Sequence, residues 1–128
     1  MTARIKTRSN DALVIEVTVP LNRSMLEGET NIEQALNEAG TLATGELLKR
    51  FDTDGCAIEM GSTKYTSKGQ VEKCYQTPYG EARVQRHLYQ SPKGGATFCP
   101  LESDARIIQG ATPKIAKTNT ARPAFWSE

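Results

Sequence analysis

No apolar run in this sequence approaches the roughly 20 residues that a helix needs to cross a bilayer. The opening residues, Met1-Thr2-Ala3-Arg4-Ile5-Lys6, carry no hydrophobic stretch of the kind that marks a secretory signal, so the expected location is cytoplasmic, with no membrane partner. Cysteine is scarce: Cys56, Cys74 and Cys99 are three, odd in number and far apart. That excludes a disulfide framework and fits a reducing compartment. There is one histidine, His87, which restricts any acid–base or nucleophilic chemistry to a single imidazole. The net charge of +1 leaves little long-range pull on any polyanion by the molecule as a whole. What is present is an ordinary globular composition. A chain of 128 residues suits one domain and can bury a core without a metal or disulfide staple.

The charge is unevenly spread. Residues 1–60 hold six Lys/Arg against ten Asp/Glu, a balance of −4, and residues 61–128 hold ten against five, a balance of +5. A basic second half points to a polyanionic partner, or to two layers of one domain that differ in charge.

Residues 12–19 alternate, with Leu13, Ile15, Val17 and Val19 on one face, and predict a strand ended by Pro20. Thr30 and Glu33 form a capping box for a helix whose apolar residues recur at three- and four-residue steps from Ile32 to Phe51. Gly40 and Gly45 weaken it by about 1 kcal/mol each, and mark either a close approach to the sheet or a break. The helix is therefore expected to be long or kinked. Asp52-Thr53-Asp54-Gly55 reads as a plain turn. A calcium loop would need acids where Arg50 and Gly61 stand.

The second half is predicted β-rich. Short strands are expected at 56–60 and 62–66, with Gly69 separating them from a hairpin of 71–77 and 81–90 turned by Pro78-Tyr79-Gly80. A last strand is expected at 96–99, a short helix or strand at 104–109, and a helical turn opened by Thr112-Pro113. The expected fold class is α+β: a mostly antiparallel sheet with a central β-hairpin, and one long or kinked helix packed on it. A single domain is expected over 1–112, with a tail from 113 to 128.

Zinc sites typically pair cysteines two to four residues apart, and Cys56, Cys74, Cys99 and His87 offer no such pair, so no metal and no cofactor are expected. His87 follows two arginines in Arg83-Val-Gln-Arg-His-Leu-Tyr89, and no catalytic residue is assigned. The hairpin carries Lys73, Arg83, Arg86, His87, Tyr75, Tyr79 and Tyr89, with Lys68 and Lys93 at its ends. Cations neutralise phosphates and a two-stranded ribbon can enter a major groove, so DNA is one reading. A solvated sheet face with cross-strand aromatic pairs is the other.

The run Gln76-Thr-Pro-Tyr-Gly-Glu-Ala-Arg-Val-Gln-Arg-His-Leu-Tyr-Gln-Ser91, followed by Gly94-Gly-Ala-Thr-Phe-Cys-Pro-Leu-Glu-Ser-Asp-Ala-Arg-Ile-Ile108, resembles the N-terminal region of bacterial Kra-type insertion-sequence transposases. Further blocks match in order at Leu21–Leu26, Leu36–Glu46, Phe51–Gly55 and Thr66–Gln70, so the resemblance covers roughly residues 10 to 117. It implies a region that precedes an RNase-H-like domain bearing the metal-binding carboxylates. No Asp or Glu of this chain matches those carboxylates. After Lys117 the sequence departs from the family pattern, as a truncated or frame-shifted copy would.

The expected function is a non-catalytic, transposase-derived module that binds DNA or associates with itself. Lys73, Arg83 and Arg86 would contact phosphates, with Lys93 supporting from the turn, in a salt-dependent and weakly specific manner. The alternatives are a protein-interaction remnant that forms a homodimer through Ile115, Phe125 and Trp126, and a small enzyme centred on His87. No small-molecule substrate is expected.

Overall fold

The computed structural model describes residues 2–21 and 23–116. The first element is a strand the composition hides. β1 (Ala3–Arg8) is Ala-Arg-Ile-Lys-Thr-Arg, with one large apolar residue, and it pairs antiparallel with β2 (Leu13–Val17) from Ala3 opposite Val17 to Arg8 opposite Leu13. β2 falls where alternation predicts it. The turn is closed by Ser9, whose amide donates to the Ala12 carbonyl at 2.9 Å and whose hydroxyl accepts from the Ala12 amide at 3.0 Å.

α1 (Met25–Lys49) starts earlier than expected. Ser24 caps it, its hydroxyl accepting from the Glu27 amide at 3.3 Å. Ser24-Met-Leu-Glu27 has the spacing of a capping box, and it lies ahead of the Thr30 box. Thr30 sits inside the helix and donates back to the Leu26 carbonyl at 3.0 Å. The helix runs through both glycines. At Gly40 the ring of Tyr79 lies so close that a Cβ would overlap it, whereas at Gly45 nothing stands within 4 Å. Gly40 is therefore where the hairpin tip docks, and Gly45 has no such role.

A four-stranded antiparallel meander follows: β3 (Ile58–Met60), β4 (Thr63–Thr77), β5 (Gly80–Ser91) and β6 (Gly94–Phe98), paired in that order. The predicted hairpin is its centre, with Thr77 opposite Gly80 and Val71 opposite Arg86. The expected break at Gly69 is instead a bulge in a continuous strand: the register slips between Ser67 and Gln70, and Gly69 takes φ +100°. α2 (Pro100–Asp104) replaces the helix or strand expected at 104–109, because Pro100 supplies the preset backbone of a first helical turn.

Residues 110–112 run alongside β4, the Gln76 amide donating to the Gly110 carbonyl at 2.8 Å and the Thr112 amide to the Gln76 carbonyl at 2.9 Å. The helical turn at 113–116 then seats a buried Ala116, so the packed region continues past the expected boundary at 112. Residues 117–128 of the expected tail, with Phe125 and Trp126, lie outside the described residues. The architecture is α+β, as expected.

The core lies where Leu48 of α1, Tyr75 of β4, Val84 of β5 and Leu101 of α2 meet, with Cys99 and Ala105 beside them. Opposite pairs in the register share a face. Lys73, Tyr75 and Thr77 therefore sit with Gly80, Ala82, Val84 and Arg86 on the covered face, and Glu72, Cys74 and Gln76 with Glu81, Arg83 and Gln85 on the other.

Candidate functional site

That division of faces separates the four cations expected to grip phosphate. Arg86 is 6% exposed, on the covered face. Its Nε donates to the Tyr75 hydroxyl at 2.8 Å and its Nη1 to the Val71 carbonyl at 3.1 Å, and its Nη2 lies 3.6 Å from Glu102. The Tyr75 hydroxyl in turn donates to Glu102 at 2.7 Å. Burial works to raise the Glu102 pKa. Hydrogen bonds from Tyr75 and Lys73 and the charges of Lys73 and Arg86 outweigh it and hold the carboxylate below its ordinary range. Burial, and then the Glu102 carboxylate, pushes the Tyr75 phenol up, so the ring stays protonated and donates. Arg86 is a structural cation, not a free one, and this corrects its assignment to a phosphate-contacting set.

Lys73 also belongs to this cluster. Its Nζ is 3.0 Å from Glu102 and stands 5.5 Å from the centre of the Tyr75 ring. Arg83 is exposed on the open face, with Glu72 diagonally across the ladder at 3.8 Å. That face carries Glu72, Glu81 and Arg83, so it is not a basic stripe.

Lys93 differs. It stands exposed in the β5–β6 turn and makes no ion pair among the described residues. Lys93 and Lys64 of β4 both line an open cleft of about 490 Å³, with Ser62, Thr63, Tyr65, Ser91 and Pro92. Thr66 and Lys68 follow Lys64 on the same exposed side of β4, and Lys64 and Lys68 likewise make no ion pair among the described residues. Glu59 faces Lys64 across the β3–β4 ladder and is the acid of that strand end. Beneath, Tyr65, Phe98 and Tyr89 stack: Tyr65 meets Phe98 edge-on at 5.1 Å, and Phe98 lies over Tyr89 at 5.7 Å. Lys64 went unassigned in the sequence because nothing local separates it from any other strand lysine; the meander brings it to Lys93.

Alternation places Tyr89 on the His87 face, and both pack under the 52–56 segment there, with Tyr89 fully buried. Its hydroxyl donates to the Cys56 carbonyl at 2.8 Å and meets the Thr53 hydroxyl at 2.7 Å. Tyr75 is buried too, which leaves Tyr79, packed on Gly40, as the hairpin's half-exposed ring.

His87 has a partner the sequence does not announce, since Asp52 lies 35 residues away. The Asp52 carboxylate accepts from the His87 amide at 2.9 Å and faces Nδ1 at 2.9 Å, with the Gln70 amide nitrogen at 3.3 Å. Burial raises the Asp52 pKa. These hydrogen bonds more than offset that, and the group stays ionised. With Nδ1 turned to Asp52, the remaining nitrogen, Nε2, faces Gly55: a Cβ built there would stand 3.0 Å from it. The 52–55 turn therefore packs close to the ring of His87. The arrangement clamps the turn to β5. Among the described residues no three His, Cys, Asp or Glu side chains converge as a metal would require, and no helix is long and apolar enough to cross a membrane.

Of the residues expected to form an apolar contact, Ile115 is half-buried. Large exposed apolar side chains include Leu21, Met25, Leu26, Ile32, Leu36 and Leu47 on α1 and just before it, and Val14, Met60, Val71 and Ile108 on other elements.

No protein-family model, no curated protein and no solved structure matches the chain.

Proposed function

We propose that the chain is a non-catalytic domain of the insertion-sequence transposase type that contacts the DNA backbone through the open end of its sheet. The observation that carries this reading is the trio Lys64, Lys68 and Lys93, exposed and without ion pairs among the described residues, with Lys64 and Lys93 lining one cleft. Lys73 and Arg86 have carboxylate and hydroxyl partners within the fold, whereas the trio makes no ion pair among the described residues. The hydroxyls of Ser62, Thr63 and Ser91 line the same cleft and supply neutral donors to phosphate oxygens. Lys64 and Lys68, four residues apart on one strand, are separated by about 13 Å, so they reach different phosphates.

Three phosphate contacts give a salt slope of about −2.7, so affinity falls about 40-fold between 50 and 200 mM salt. A fluorescence-anisotropy titration of a labelled duplex at those two concentrations tests the reading. Replacing Lys64, Lys68 and Lys93 together by alanine should flatten the slope and leave the fold intact. Affinity that ignores salt, or a triple variant that binds like the parent, would overturn it.

A further inference from the structure

In the β4–β5 ladder Thr66 stands opposite Gln90, so the β3–β4 turn just ahead of Thr63 and the β5–β6 turn just after Ser91 emerge at the same end of the sheet. Residues of both ends line the cleft of about 490 Å³ that holds Lys64 and Lys93. Besides those two ammonium groups the lining offers two ring surfaces, Tyr65 and Pro92, and no carboxylate among the described residues. Glu59, across the β3–β4 ladder from Lys64, is the acid of this strand end.

Tyr65 is held by packing alone. Its ring meets Phe98 edge-on at 5.1 Å, Phe98 lies over Tyr89 at 5.7 Å, and the Tyr89 hydroxyl is fixed to the Cys56 carbonyl at 2.8 Å. Ile58 stands opposite Tyr65 on β3. The Tyr65 side chain is half-buried, and its hydroxyl makes no hydrogen bond among the described residues. An aromatic ring already fixed by its neighbours gives up little conformational freedom when a flat ligand covers it.

The lining chemistry identifies that ligand. A flat ring recognises another π-face, and ammonium groups recognise anions; a nucleotide unit has one of each. The size fits, since small-ligand pockets span about 300–1,000 Å³. In a duplex each base is covered on both faces by its neighbours and offers only its edges, in the grooves. An unpaired base is the one that can lay its face on Tyr65.

We infer that the cleft takes a base of a single DNA strand, stacked on Tyr65 with Pro92 as a second apolar surface, while Lys64 and Lys93 contact the flanking phosphates. This rests on the reading of the lysines as phosphate contacts and adds the form of DNA, single strand over duplex. Ser62 and Thr63 line the same cleft with hydroxyls that make no hydrogen bond among the described residues, and they supply donors to sugar and phosphate oxygens. Because every base has a π-face, the preference is for strandedness and not for sequence.

Fluorescence anisotropy of the full chain reads this with three probes: a labelled strand of about 12 nucleotides, its duplex, and a strand of equal length made of abasic sugar phosphates. The single strand should bind tighter than the duplex, despite the duplex's denser charge, and about tenfold tighter than the abasic strand, the order of one base–aromatic stack. The abasic strand carries the same phosphates, so this comparison isolates the base and needs no variant. Tyr65→Leu keeps an apolar contact for Phe98 but has no flat ring. It should bring the single strand down to the abasic level and leave the duplex affinity unchanged, whereas Tyr65→Phe should retain the single-strand affinity. Circular dichroism checks the fold of both. A duplex that binds tighter than its single strand, an abasic strand that binds as well as the normal one, or a folded Tyr65→Leu that binds the strand like the parent would overturn the inference. In each of those cases a salt-dependent duplex affinity leaves the lysine reading standing. Affinity that ignores salt for all three probes removes both.

Discussion

Replacing Arg86 by methionine separates a structural cation from a DNA-binding one. Methionine keeps much of the side chain's volume and removes the guanidinium. The hydrogen bonds to the Tyr75 hydroxyl at 2.8 Å and the Val71 carbonyl at 3.1 Å are lost. Each bond from a charged donor contributes roughly 1.5–3 kcal/mol, and the Val71 carbonyl is left unpaired. Glu102 loses one cation but keeps Lys73 at 3.0 Å and the Tyr75 hydroxyl at 2.7 Å, so it is not stranded. The cost is therefore near the lower end of that for breaking a buried pair, about 3 kcal/mol. A domain of this size holds about 5–15 kcal/mol in total, so the variant still folds. With a urea slope of about 2 kcal/mol per molar, the unfolding midpoint drops by about 1.5 M. The salt slope of DNA binding, measured under conditions where the variant is folded, stays the same. An unchanged midpoint together with a slope shallower by about 0.9 would show instead that Arg86 reaches a phosphate, and would refute the assignment.

Three further outcomes are expected. Gly40→Ala should destabilise by about 1–2 kcal/mol despite alanine's better helix propensity, because the Tyr79 ring must leave its seat; Gly45→Ala, in open space, should stabilise by about 1 kcal/mol, both read by urea unfolding. Gly55→Ala should cost about 1–3 kcal/mol in the same assay, since it strains a φ of +87° and crowds the His87 Nε2. Hydrogen bonds from Arg8 and then Lys49 hold the Glu46 carboxyl down at about 2, below its ordinary 4.5. A depressed carboxylate contributes stability that is fully present above its unfolded pKa and fades as pH falls toward the folded one. Stability should therefore decline between about pH 5 and 2, and Glu46→Gln should remove about 1 kcal/mol of that decline, the exposed partners Arg8 and Lys49 being screened by solvent.

Elements with strong period-two alternation or a marked turn were legible in the sequence. β2 shows Leu13, Ile15 and Val17 on one side, and Pro78-Tyr79-Gly80 sets the register of the central hairpin. β1 was not, because Arg4, Lys6 and Arg8 leave Ile5 as its single large apolar residue. The bulge at Gly69 reads locally as a break, and only pairing across to β5 makes it continuous. The fate of Arg86 was open to reading: alternation puts it with Ala82 and Val84, the apolar face, and Arg83 on the opposite one. Glu102, which completes the Arg86 cluster, comes from α2 and carries no local signal. The Asp52–His87 clamp and the Lys64–Lys93 cleft are likewise products of topology, since each joins residues from separate elements.

The proposed DNA contact rests on Lys64, Lys68 and Lys93, which are exposed on β4 and in the β5–β6 turn. The direct measurement is a paired DNA titration at 50 and 200 mM salt of two variants, Lys64→Ala/Lys93→Ala and Lys73→Ala, each checked for folding. The first should lose about two counterions' worth of salt slope, roughly 1.8, and the second should bind like the parent. The reverse ranking, with Lys73→Ala weakening binding and the double variant unaffected, would contradict the account.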